Sequence, residues 1–403
     1  MSKPLEGIRV VELGTHVAVP ITARMMADWG SEVIKIEPPG GDPWRKIGVY
    51  YQLPIAPDNN PTYQPTNANK KSLTLDLKAP EGKEALMKLL ATADIFITNT
   101  RIESLVRLGL DYASLKDKFP KLIYAHLSGY GIKGPDKDAP GLDAASFWSR
   151  SGIIRGWTYA EDRPFKPLGG VGDACTGSLL LAGILAALYN RTKTGKGEEL
   201  QTSLFAAGLW YNNVVILMGQ PICNQKFPKS ILKTHTMASN RQSKDGDWFL
   251  LQETKYEENV SKYLEFFHLE HLIGDPRIMT VKGCIENSEF VLKVYDEAFA
   301  SVSTKELSDF LTNSDVVYQI LTNPNDVTND EQAWANGYLT KLKLEDGSEA
   351  ILPTNPVKFT GVGPAEFKLA PQLGQDSAEI LESLGYSSEQ INAMIEKRVT
   401  IAR

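Results

Sequence analysis

Cysteine is scarce: Cys175, Cys223 and Cys284 are the only three in 403 residues. They are far apart and odd in number, which argues against a disulfide framework and fits a reducing compartment. No CxxC spacing or Cys/His cluster offers zinc ligands. The nearest approach, His268-Leu-Glu-His271, lacks a third ligand nearby. A surplus of positive charge is also missing. Forty-three Lys and Arg against 49 Asp and Glu leave a net charge of −6, so nothing drives sequence-independent nucleic-acid binding. The longest apolar run, Gly177 to Tyr189, is 13 residues, short of the ~20 that cross a bilayer. The N-terminal apolar run is broken by Glu6, Arg9 and Glu12, unlike a signal peptide. The expectation is a soluble, cytoplasmic protein with neither nucleic acid nor membrane as partner.

Glycine is sparse where a dinucleotide fold would need it. A first strand, Ile8–Leu13, ends at Gly14, and Glu37 stands where a ribose-binding acid would sit. The turn, however, reads Gly14-Thr-His-Val-Ala-Val-Pro20. It has one glycine where a pyrophosphate needs three, and Val19 and Pro20 would block close backbone approach. The P-loop and GxSxG patterns are absent as well.

What is present is an ordinary globular composition, 42% hydrophobic and 23% charged, which excludes dominant disorder. The length suggests two domains. Strands are expected at 8–13, 32–36, 72–77, 94–98 and 122–127, with helices at 20–29 and 80–91 between them. This alternation predicts an α/β, doubly wound, Rossmann-like N-terminal domain with a parallel sheet. An apolar helix from Thr176 to Arg191 is expected to be buried all round, followed by a strand at 198–203. Between Pro221 and Gly246 the texture turns polar and irregular, marking passage into a smaller domain. There Asp245-Gly-Asp247 predicts a hairpin turn, and helices are expected at 256–267 and 288–298. A strand pair around Glu345–Ser348 and a helix at 387–397 complete the pattern.

The chemistry-bearing segment is Gly169-Gly-Val-Gly-Asp-Ala-Cys-Thr-Gly177, directly before the apolar helix. Four glycines surround one carboxylate, so a substrate could approach Asp173 closely and meet free backbone N–H groups. Asp is equally a preferred helix N-cap, and from these residues alone nucleophile and cap both stay open. Cys175 has no histidine that can be placed beside it as a base. Lys70, Lys71, Lys78, Arg101, Arg107 and Lys137 fall mostly after strands or at helix ends, where an anion could meet them.

Taken together, the segments resemble the class III CoA-transferases, the CaiB/BaiF family. The likeness is carried by Lys3–Leu13, Asp28–Glu37, Gly41–Arg45, Asn69–Lys78, Gly129-Tyr-Gly131 with Gly134-Pro135, Gly141-Leu-Asp143, Gly172-Asp173, Arg191–Gly197 and Pro371-Gln-Leu-Gly374. The resemblance implies a large CoA-binding α/β domain begun by residues 1–220 and completed by a return at 331–403. It implies a small α+β domain with linkers at 221–330, and a homodimer of interlocked rings. It makes Asp173 the nucleophile, passing through mixed anhydrides and an aspartyl-CoA thioester. No tightly bound cofactor or metal is implied; the coenzyme A thioester is the substrate. By position, His16, Val17 and Ala18 match the loop near the pantetheine arm and reacting carbonyl. Leu75, Lys78, Asn99, Thr100, Arg101, Arg107, Leu108 and Lys137 match positions that hold the nucleotide and phosphates.

Departures narrow the substrate. Val17 replaces the Gln of the formyl/oxalate branch, Pro38 replaces its adenine-contacting Arg, and no GGGGQ loop lies between residues 224 and 247. Met25-Met-Ala-Asp28, Gly134–Asp138 and Asp330–Asn336 resemble the (R)-2-hydroxyacid CoA-transferases of fermenting anaerobes, of 2-hydroxyisocaproate or phenyllactate type. Carnitine-type transfer is an alternative. So is α-methylacyl-CoA racemisation, although the racemase His position is Leu142 here.

Overall fold

The central strands read as unbroken apolar runs because both their faces are covered, as parallel sheets require. In the computed structural model, which describes residues 3–53, 61–233, 239–314, 316–363 and 367–403, the chain divides into two units. One is Met1–Ile153, Lys166–Asn213 and Glu331–Arg403; the other is Ile154–Phe165 and Val214–Asp330. The second unit thus takes in residues 154–165 and 214–220 besides the expected 221–330.

The first unit opens with β1 (Arg9–Leu13), α1 (Ala18–Asp28) and β2 (Glu32–Glu37). Next come β3 (Lys71–Thr74), α2 (Pro80–Leu90), β4 (Ile95–Thr98), α3 (Ile102–Leu108) and β5 (Ile123–Ser128). The long helix α4 (Val171–Thr194) then leads to β6 (Glu199–Ser203) and α5 (Leu204–Tyr211). All six strands pair in parallel, in the order β3-β2-β1-β4-β5-β6. The order reverses between β1 and β4, and at such a switch point the loops leaving the strand ends open a crevice. On one face, α2 and α3 pack with the C-terminal residues Ile380, Leu381, Ile391, Met394 and Val399 around Val11, Ile34, Leu73 and Phe96. The chain's end is thus stitched to β3: Asp76 N–H donates to Val399 O at 2.7 Å and Thr74 N–H to Ser377 Oγ at 3.1 Å.

Helix α4 differs from its sequence expectation in two ways. It begins at Val171, five residues early, because Gly169 and Gly170 both take positive φ (83° and 68°) and Gly170 serves as N-cap. Glycine alone adopts these angles without strain. Nor is α4 buried all round. Thr176, Gly177, Leu180, Leu181, Ile184 and Ala187 are covered, whereas Tyr189 is 65% exposed. Length and composition would let the helix cross a membrane, yet one face packs on α1, β5 and β6.

In the second unit, β7 (Arg241–Gln242), β8 (Trp248–Gln252) and β9 (Val317–Ile320) form an antiparallel sheet. Helices α6 (Tyr256–Phe266), α7 (Ser288–Ser301) and α8 (Thr304–Asn313) pack around Phe249, Val260, Tyr295, Phe299 and Leu307. Helix α8 and strand β9 are elements the sequence reading did not anticipate, although Ser303 and Glu306 form a full capping box at the helix start. Back in the first unit, a hairpin of β10 (Leu339–Lys343) and β11 (Glu349–Pro353) turns through Asp346-Gly347, as its turn residues predict.

Candidate active site

Asp173 lies in the first turn of α4, three residues after the residue that caps it, Gly170. The N-cap reading of this carboxylate is therefore corrected: the glycine pair starts the helix. Burial pushes the Asp173 carboxyl up to about 7, and the nearby Asp143 carboxylate pushes in the same direction. Cys175, one half-turn on, is also pushed up, by burial and then by Asp143. Thiolate formation is thus disfavoured at the site's other nucleophilic atom.

Gly170 keeps the approach to Asp173 open. A methyl group built there would lie 3.4 Å from Asp173 Oδ2 and 3.5 Å from both γ-carbons of Val17. Val17 is the N-cap of α1, so two helix N-termini converge on one carboxylate. Their positive ends favour negative charge developing in the gap. The convergence is enforced further along: a side chain at Gly177 would sit 2.6 Å from Ala18 O, and Thr22 Oγ1 donates to Gly177 O at 2.9 Å.

Below the carboxylate lies Asp143, the N-cap of a single π-helical turn, Ala144–Ser149. Such wide turns recur at functional sites. Burial raises the Asp143 carboxyl, while the Trp148 side chain and the backbone N–H groups of Asp173 and Gly172 draw it down. A side chain at Gly172 would collide with Asp143 Oδ1 and the Phe147 ring.

The positions singled out from the sequence fall into three groups. His16, Val17 and Ala18 form the loop beside Asp173. His16 has φ of 63° and its N–H donates to Asp42 Oδ1 at 3.1 Å. Arg101, Arg107 and Lys137 are exposed around α3. There a cleft of about 320 Å³ is lined by Ile102, Glu103, Val106, Ile132, Lys137 and Asp138. Lys78 is exposed as well. The remaining positions are at least half-buried: Leu75 is 1% exposed in the core, and Leu108 packs against it. Asn99 brackets Thr15, accepting from its N–H at 3.0 Å and donating to its carbonyl at 2.9 Å. Thr100 O meets His126 Nε2 at 2.9 Å. Sequence reasoning gave no role to Glu12, Lys35 and Asp42, which are buried beneath the loop. The available signal was a charge set among the apolar residues of each of two strands, Glu12 beside Val11 and Leu13, and Lys35 between Ile34 and Ile36. Among the described residues no group of three His, Cys, Asp or Glu is gathered to hold a metal ion.

The chain is 36% identical to the (R)-2-hydroxy-4-methylpentanoate CoA-transferase of Clostridioides difficile, over 98% of this chain and 99% of that one. It is 33% identical to the cinnamoyl-CoA:phenyllactate CoA-transferase of Clostridium sporogenes, over 98% and 97%. The fold matches the crystal structure of a CaiB/BaiF family protein from Brucella suis with a TM-score of 0.80 and 27% identity, covering 95% of this chain and all of that one. Residues 5–377 match the family described as CoA-transferase family III. The chain belongs to CoA-transferase family III and is an enzyme that transfers coenzyme A between an acyl-CoA and a carboxylic acid.

Proposed function

We propose that this CoA-transferase moves CoA between a 2-enoyl-CoA, such as isocaprenoyl- or cinnamoyl-CoA, and an (R)-2-hydroxyacid, with Asp173 as nucleophile. An Asp173 oxygen attacks the thioester carbon; the C–S bond breaks, leaving an acyl–aspartyl anhydride and CoA thiolate. The thiolate attacks the aspartyl carbonyl, expelling the donor carboxylate and leaving an aspartyl-CoA thioester. The acceptor carboxylate then attacks that thioester, and the freed thiolate attacks the acceptor's acyl carbon, restoring the Asp173 carboxylate. Covalent catalysis of this kind divides one hard exchange into easier steps. Each tetrahedral oxyanion forms where the N-termini of α1 and α4 converge.

The observation that carries the reading is the Asp173 carboxylate, which is not the helix N-cap and faces Val17 across the space left by Gly170. The apolar Val17 and Val19 suit an apolar acyl chain. The substrates named for the two relatives support the hydroxyacid class. Racemisation is disfavoured because Leu142 occupies the position where its second proton-transfer group would stand. The large unit is proposed to be Rossmann-like, with Arg101, Arg107, Lys78 and Lys137 meeting the CoA phosphates. An interlocked homodimer is supported by apolar side chains left uncovered in one chain: Val171, Tyr189 and Trp210 are 50%, 65% and 67% exposed. A cytoplasmic location follows from the reduced cysteines this reading expects.

The test is acyl-CoA exchange followed by chromatography with a panel of acceptors. Faster turnover of (R)-2-hydroxyisocaproate or (R)-phenyllactate than of oxalate, succinate or carnitine is expected; preference for a dicarboxylate or carnitine would overturn the substrate class.

A further inference from the structure

The loop that faces Asp173 is held by charges that no solvent reaches. Glu12 on β1 and Lys35 on β2 are register partners in the sheet, and with Asp42 and Lys70 their side chains are 0% exposed. Lys35 Nζ lies 2.9 Å from Glu12 Oε1 and 3.0 Å from Asp42 Oδ2, and Lys70 Nζ lies 2.7 Å from Glu12 Oε2. Two lysines and two carboxylates thus form one connected set, in which burial draws the Lys70 ammonium down to about 7. Each end of the set grips the backbone between Gly14 and Pro20. Lys35 donates to Gly14 O at 2.8 Å, Lys70 to Pro20 O at 2.8 Å, and Asp42 accepts from His16 N–H at 3.1 Å. Asn99 holds Thr15 from the other side.

Stability does not account for such a set. Buried ion pairs are commonly neutral or worse than apolar residues of equal volume, because desolvation offsets their attraction. What hydrogen-bonded charges supply is a fixed direction. Here that direction is spent on the loop whose Val17 stands against Gly170 and Asp173.

We propose that Lys35, together with Glu12, Asp42 and Lys70, is a positioning group for acyl transfer: it fixes the Gly14–Pro20 loop so that the N-terminus of α1 stays aimed at the carbonyl under attack. The proposal rests on the reading that Asp173 is the nucleophile. Displacing the loop by about 1 Å is the kind of change that costs about 100-fold in rate.

Lys35→Met and the near-isosteric Glu12→Gln, made in the full-length protein, test it. The readouts are the single-turnover rate of covalent adduct formation with isocaprenoyl-CoA, the Kd for CoA, and hydrogen exchange of residues 14–20. A fall in adduct rate of about 30- to 100-fold is expected, with CoA affinity near wild type and exchange faster in this loop alone. Wild-type adduct rates in both variants would overturn the proposal, as would a loss confined to CoA affinity. Should Lys35→Met fail to fold, Glu12→Gln decides the matter, since it is expected to slow the same step. If the wild type itself forms no adduct, the nucleophile reading fails separately. The grip is then judged by hydrogen exchange, where unchanged loop protection in the variants would overturn it.

Discussion

Asp143 and Asp173 are joined through the backbone of Gly172: the space where a Gly172 side chain would sit is taken by Asp143 Oδ1 and Phe147. Two carboxylates are thereby brought close in a partly dry site, and the one on the helix turn is pushed up to about 7 by burial and by its neighbour. Like charges held together in this way disfavour a second ionisation.

Removing the neighbour's charge is therefore expected to make Asp173 a stronger acid. In Asp143→Asn, the acid limb of the pH dependence of kcat/KM, expected near 7 in the wild type, moves to lower pH. Burial remains, so the limb does not reach the value of a free aspartate. A pH–rate profile on the free enzyme checks this, and an unmoved limb would show that Asp143 does not couple to the nucleophile.

Asp173 is also expected to lower stability. A carboxyl raised from about 3.9 to about 7 means that the folded protein prefers the neutral acid. The stabilisation by the neutral acid is fully present below about pH 4 and is lost as pH rises through about 7, so the penalty is felt above that. Asp173→Asn should accordingly melt higher than the wild type at pH 8, by no more than about 4 kcal/mol, with the difference closing toward pH 4. Denaturation at the two pH values measures it; equal stability at pH 8 would mean the carboxylate ionises without cost.

Adjacent glycines should respond differently to alanine. Gly172→Ala forces Asp143 and Phe147 aside, which is expected to destabilise by about 1–3 kcal/mol as overpacking does, and to cut kcat by about 100-fold. At Gly170 the new methyl group meets only ordinary contacts, so the cost is the strain of its φ of 68°, about 1 kcal/mol. Thermal melts and kcat on both variants separate the cases.

The sheet was legible because its strands are buried on both faces, so Val10, Val11, Ile95, Phe96 and Ile97 form apolar runs that need no partner to be recognised. The glycines around Asp173 left nucleophile and cap both open, and the cap proved to be Gly170. The start of α4 was not legible, because Val171-Gly172 reads as loop until the two positive φ angles before it are seen. The burial of Glu12 and Lys35 could not be read from either strand singly. It depends on the parallel register that sets them side by side, and on Asp42 and Lys70 arriving from elsewhere in the chain. Nor could the exposed flank of α4 be foreseen, since an apolar side chain looks the same whether its own chain covers it or not.

Leu75 and Arg107 are both proposed from the family resemblance as CoA-contact positions, but their surroundings predict opposite phenotypes. Leu75 is in the core, and Leu75→Ala should cost about 2–5 kcal/mol of stability, with the KM for acyl-CoA little changed once folded. Arg107 is exposed, its guanidinium 3.0 Å from Ser104 Oγ. Arg107→Ala should leave the melting temperature unchanged and raise KM by about 3- to 10-fold, more at low salt. Steady-state kinetics at two ionic strengths tests the contrast.

The central claim, that Asp173 carries CoA covalently, is met most directly by intact-mass spectrometry. Wild type and Asp173→Ala are mixed with isocaprenoyl-CoA or cinnamoyl-CoA and trapped with hydroxylamine or borohydride. The account predicts a trappable adduct on the wild type, mapped to Asp173, and none on the variant. An adduct on both proteins, or no adduct together with deuterium uptake at the α-carbon of a 2-methylacyl-CoA, would contradict it.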